Sequence, residues 1–122
     1  MIEVLKALKN EFTRLNIPYS YDNWEKDVEL PYFVGDIIEI PTFDEDCKRE
    51  FTFTLTGEDV DTYSNLYTFN EILKTEYKHT KKITLDTGVM AMCYNRLINV
   101  PVDAERVKRV EIEFTIYLWE SE

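Results

Sequence analysis

The chain has 122 residues, 44% of them hydrophobic and 31% charged, with 3 glycines and 4 prolines. That is a single domain's worth of polypeptide, residues 1–122, able to bury a core without disulfides or metals, and it is neither a linker nor a fibre. Lys and Arg number 14 against 24 Asp and Glu, a net charge of −10, and so acidic a chain repels nucleic-acid phosphates and anionic membrane surfaces alike.

Leu5, Leu8, Phe12 and Leu15 recur at helical spacing among Lys6, Lys9, Asn10 and Glu11, which predicts an amphipathic helix over 2–15. Asn16, Ile17 and Pro18 end it, because proline cannot continue a helix and biases its predecessor to extended backbone. A short strand is expected within 17–21. After Pro31, the run Tyr32 to Ile40 is rich in aromatic and β-branched residues and reads as a strand, with Gly35 suggesting a bulge or bend. Pro41 to Lys48 is an acidic, turn-rich loop. Beyond it, Phe51, Phe53 and Leu55 alternate with Thr52, Thr54 and Thr56, giving the second strand of a hairpin whose tip is Asp44, Glu45 and Asp46. Gly57 to Asp61 breaks that alternation.

A second helix follows, with Thr68 to Glu71 as a possible capping box or Ser64 as an earlier cap, and with Phe69, Ile72, Leu73 and Tyr77 as its apolar stripe. Lys74, Lys78, Lys81 and Lys82 gather near its end, where cations complement the helix dipole. Ile83 to Leu85 begins another strand, Asp86 to Gly88 turns, and Val89 to Tyr94 is a mostly apolar strand before a connection over 95–103. From Val110 to Leu118 apolar and polar residues alternate strictly. The order predicts an α+β domain: a mostly antiparallel sheet of four to six strands with two helices packed on one face.

Charge is unevenly placed. Residues 22–61 hold thirteen acids against three bases, a net −10, and the rest of the chain balances to zero. Such a segment is either a solvated acidic face or an acidic surface with a task. Cys47 and Cys93 lack a CxxC spacing or a flanking histidine. Free thiols in a reducing compartment are the simpler reading, and a pairing between them stays open. The charged start Met1 to Lys6 is unlike a signal peptide, so a cytoplasmic location is expected.

Residues suited to catalysis are scarce. The one histidine, His79, sits on the polar, basic end of the second helix. Asp44, Glu45 and Asp46 lack the alternating ligands and central glycine of a calcium loop. Gly35, Gly57 and Gly88 are too far apart to cradle a phosphate. We therefore expect no catalytic residues, no metal and no cofactor. Trp24 and Trp119 lie in polar contexts at element ends, each either a flap over the core or an anchor at an interface.

The whole-chain pattern is the more telling feature. It consists of the N-terminal helix, the Ile17-Pro18-Tyr19 step, Leu30 to Asp36, the acidic hairpin, Phe51 to Gly57, a helix with Tyr63, Leu66, Ile72 and Leu73, and the closing run Val107 to Trp119. In this it resembles the small tail-completion, or tail terminator, proteins of long-tailed bacteriophages and prophages. The resemblance implies a non-enzymatic structural protein forming a homo-oligomer, a hexameric ring. Such a ring caps the tail tube protein and docks the head–tail connector protein, assembling in the host cytoplasm and ending in the virion tail. With DNA passing through such a ring, Asp44, Glu45 and Asp46 become candidates for its lumen, since an acidic wall repels the duplex where a basic one would hold it. Trp24 and Trp119 become candidates for its interfaces. The alternative is an acidic DNA mimic or another inhibitory protein-binding module, whose acids would be spread evenly rather than concentrated in one segment.

Overall fold

The computed structural model describes residues 1–24, 29–41, 48–104 and 106–120. Helix α1 spans Ile2–Arg14, followed by strands β1 (Tyr19–Tyr21), β2 (Tyr32–Ile40) and β3 (Lys48–Val60). Helix α2 (Ser64–Tyr77) leads to β4 (Lys81–Leu85), β5 (Gly88–Val100) and β6 (Val107–Glu120). The strands form one sheet in the order β1-β2-β3-β6-β5-β4, antiparallel throughout except for the parallel β1–β2 pair. Both helices share one hydrophobic core with the sheet, as the alternation of apolar residues predicts.

The middle of the sheet is its longest pairing, thirteen positions of β3 against β6 from Lys48↔Trp119 to Val60↔Val107. Val110, Ile112, Phe114, Ile116 and Leu118 of β6 all turn into the core, as do Phe51, Phe53 and Leu55 of β3. β6 is thus an interior strand facing the helices. The core centre is aromatic. Phe114 meets Phe53, Tyr77 and Tyr94 at ring separations of 6.0, 5.8 and 5.9 Å, and Phe53 in turn stacks on Phe12 at 5.9 Å.

Helix α1 presents Val4, Ala7, Leu8 and Phe12 inward, while Leu5 and Leu15 of the predicted stripe sit half-buried at its flanks. Its end is a left-handed cap. Asn16 has φ 57°, its N–H donates to Thr13 O at 3.1 Å, and Ile17 N–H donates to Phe12 O at 2.9 Å. This is the double bond of a Schellman turn, with the buried Ile17 as its apolar partner. Although β1 and β4 are opposite margins of the sheet, α1 packs against both, so the sheet curls around its helices and α1 lies across the opening.

Four local expectations are corrected. Gly35 is not a bulge, because the β2–β3 register runs unbroken from Tyr32↔Glu58 to Ile40↔Glu50. A Cβ there would sit 2.7 Å from the Phe53 ring and 2.8 Å from that of Tyr19, so the glycine makes room for both. Gly57 does not end β3, which continues to Val60; its missing side chain leaves space for the Phe33 ring. Helix α2 starts at Ser64 without a side-chain cap and buries Leu66, Asn70, Leu73 and Tyr77, while Ile72 faces outward at 38% exposure. The connection expected over 95–103 is strand as far as Val100, with a register shift between Tyr94 and Arg96 that absorbs Asn95.

Candidate interaction surface

Because successive strand residues point to opposite faces, burying Phe51, Phe53, Leu55, Ile112, Phe114 and Ile116 under the helices leaves their neighbours on a face that, among the described residues, no helix covers. Cross-strand rows define it. One runs Asp36, Thr54, Glu113, Arg96; the next runs Ile38, Thr52, Thr115, Cys93. Threonines occupy the middle. Around them, charges are tied in pairs: Arg96 Nε donates to Glu113 at 2.8 Å, and Arg109 Nε to Glu58 at 2.7 Å.

The apolar groups on this face sit at its rim. Ile38 is 63% exposed and Ile40 37%. Trp24 leans on Tyr32, with ring centroids 6.4 Å apart, and Trp119 leans on Tyr117 at 6.1 Å, beside a shallow hollow shared with Lys82 and Val89. Both tryptophans are partly exposed, at 42% and 38%, rather than flaps closed over the core. They do not form a single anchor. Tyr32 belongs to the row of Glu58 and Arg109, ten residues along β6 from Trp119, which separates the two corners by roughly 33 Å. Ile38 and Ile40 were missed in sequence. The signal was present in Ile37-Ile38-Glu39-Ile40, where apolar residues occupy both phases of a strand, so one phase has to face outward.

The remaining sequence candidates fall elsewhere. Asp44, Glu45, Asp46 and Cys47 lie outside the described residues. Cys93 is a free, half-buried thiol with Sγ 3.8 Å from Asn95 Oδ1. His79 is exposed just beyond α2. Among the described residues, no three His, Cys, Asp or Glu side chains come together to hold a metal ion, and no helix is long and apolar enough to cross a membrane.

The perturbed titrating groups are engaged in structural bonds. Glu11 accepts from the Tyr77 hydroxyl at 2.7 Å and pairs with Arg14 at 3.1 Å and Lys81 at 3.0 Å, which joins α1, α2 and β4. Burial pushes its carboxyl up, but the bonds from Arg14, Tyr77 and Lys81 outweigh that and hold it at about 2. Glu76 is held below its ordinary value by Lys81 and Arg14. In the same cross-strand row as Lys81, on the opposite margin of the sheet, Glu39 is bridged by Arg49 at 2.8 Å, and Arg49 also reaches Glu120 at 2.5 Å.

Comparison of the sequence with protein-family models and with curated proteins finds no match.

Proposed function

We propose that this protein is a structural subunit of the tail-completion type, which assembles with copies of itself into a ring, terminates the tail tube with one side of that ring and offers the other to a head–tail connector protein. The observation that carries the reading is the uncovered sheet face, with Trp24, Ile38, Ile40 and Trp119 exposed at its rim. Exposed aromatic and aliphatic anchors around a polar centre suit a protein that docks on other proteins. The tail-terminator assignment itself rests on the resemblance of the chain pattern, and the hexamer with it. On this reading the protein has no catalytic residues and needs no cofactor. It works in the host cytoplasm during assembly and in the virion tail thereafter. The lumen role falls to Asp44, Glu45 and Asp46, whose charge, repeated around a ring, keeps DNA from adhering to the wall within a screening length of about 8 Å.

The pairing of acids with arginines favours a structural subunit over the DNA mimic. Glu39, Glu58, Asp61, Glu113 and Glu120 are each bonded to an arginine, so they do not present a row of unpaired charges to a nucleic-acid-binding protein. The test is light scattering and negative-stain microscopy of the protein with and without tail tubes. Rings seated on tube ends are expected. A stable two-fold dimer that never forms rings in either condition would refute the proposal. Within assembled rings, exchanging Asp44, Glu45 and Asp46 for Asn, Gln and Asn should leave the ring intact and slow DNA passage.

A further inference from the structure

The two margins of the sheet are stepped. β1 pairs with β2 only from Phe33 to Gly35, so Asp36–Ile40, paired with β3 on one side, has no strand on its outer side among the described residues. Gly35 turns its carbonyl outward to Asp22 N–H at 2.9 Å, and by alternation Ile37 and Glu39 aim their backbone groups the same way. The Ile37 N–H donates to the side chain of its neighbour, Asp36 Oδ1, at 3.0 Å. Ile38 and Ile40 are exposed here, and a groove of about 410 Å³ lies between α1 (Ile2, Leu5, Lys6, Lys9) and β1. Three of the five residues of the Asp36–Ile40 margin are isoleucines, and it holds neither a lysine nor a proline, two of the devices that discourage strand pairing.

The opposite margin is its complement. β4 pairs with β5 from Lys81↔Met92 to Leu85↔Gly88, and a groove of about 300 Å³ separates part of it from α1. It lies at the same end of the sheet as the open half of β2, since Ile40, Glu50, Tyr117, Ala91 and Lys82 form one row. Three antiparallel steps separate β3 from β4, so β4 runs in the same sense as β2. The charges are opposite. β2 offers exposed Asp36, its Glu39 being bonded to Arg49, whereas β4 offers exposed Lys82, its Lys81 being bonded to Glu11 and Glu76, with exposed Lys78 just before the strand and no acid between Lys81 and Leu85. Asp36 and Lys82 both point to the face without helices.

We propose that the Asp36–Glu39 margin of one subunit receives Lys82–Leu85 of β4 of a second copy as a parallel strand, four positions against four, with Lys82 of the incoming strand beside Asp36 so that residues on the face away from the helices meet one another. The two patches differ, so the contact is heterologous and repeats from copy to copy, closing into a ring when its rotation divides the circle. The inference rests on the ring-forming reading above and deepens it by naming the surfaces that meet.

A charge-reversal cycle tests it. Asp36→Lys and Lys82→Glu each place like charges at the seam, and each is expected to weaken self-association about tenfold in sedimentation velocity. The double variant is expected to restore it. Circular dichroism on each variant confirms that the fold is kept, since both side chains are exposed. Rings that form on tail tubes equally well with every variant would overturn the strand pairing and leave the ring reading standing. A double variant weaker than either single one would place both residues at contacts but not opposite each other, which also overturns it. Wild-type protein that stays monomeric at all concentrations and on tail tubes would overturn both readings.

Discussion

Phe114→Ala is the sharpest probe of how this domain is held together. The side chain is fully buried at the middle of β6, and it is the one ring that meets Phe53, Tyr77 and Tyr94, joining β3, α2 and β5. Truncating a buried phenylalanine costs about 3–5 kcal/mol through lost transfer energy and the cavity left behind. Here the upper half of that range is expected. Edge-to-face partners add about 0.5–1.5 kcal/mol each beyond burial, and neighbours fixed in strands and a helix have little room to collapse. Domains are commonly stable by only about 5–15 kcal/mol, so about 4 kcal/mol is a large share of the total. Urea unfolding followed by tryptophan fluorescence reads the effect. With a slope of about 2 kcal/mol per molar, the midpoint should fall by about 2 M. Phe114→Leu, which keeps much of the volume, should lose less than half as much. A midpoint for Phe114→Ala within about 0.5 M of wild type, with unchanged slope, would refute the placement of β6 at the centre of the core.

Lowering the pH should loosen the junction of α1, α2 and β4. Because the folded carboxyl of Glu11 titrates at about 2, below its unfolded value, its contribution is present above about pH 4.5 and is lost as pH falls toward 2. Solvent screening around the half-exposed Arg14 keeps that contribution to about 1–2 kcal/mol, and Glu11→Gln should flatten the acid limb of the thermal-stability profile. Tyr19→Phe should leave stability unchanged or raise it by about 1 kcal/mol, because the Tyr19 hydroxyl is buried without a hydrogen-bond partner while the ring packs on Phe12 at 4.7 Å. A loss above 1 kcal/mol in thermal melts would show that the hydroxyl is bonded in solution.

What could be read from the sequence follows the strength of local signals. β6 was legible because its five apolar positions alternate without a break and the opposite phase is charged or polar. α1 was legible for the same reason, although its inward stripe is turned to include Val4 and Ala7. The far ends of β3 and β5 were not. Gly57 and Asn95 read as breakers, and only the neighbouring strand shows that one makes room for the Phe33 ring and the other is absorbed by a shift of register. Asp59 shows the same limit. Its buried carboxylate accepts from Val60 N–H at 2.8 Å and Asn65 Nδ2 at 3.0 Å, fastening the end of β3 to the start of α2, but in sequence it is one more acid in an acidic stretch. The two tryptophans were recognisable as surface candidates, but their separation by most of a strand length depends on long-range pairing that no local pattern encodes.

The position of β6 also decides when this protein can fold during its synthesis. β6 comes after every other element in the chain, yet it occupies the middle of the sheet, and β3 and β5 meet only through it. As the polypeptide leaves the ribosome, β1 to β3 and then β4 with β5 emerge as two fragments, each with an apolar face and an unpaired inner margin. Neither can be completed until residues up to Glu120 are clear of the exit tunnel. Closure then joins segments dozens of residues apart, the kind of long-range pairing that folds slowly and leaves nascent chains open to aggregation. A stalled or truncated product lacking β6 is therefore expected to be a ready substrate for chaperones and proteases, whereas the finished chain gains its core, its curl and its stepped margins together.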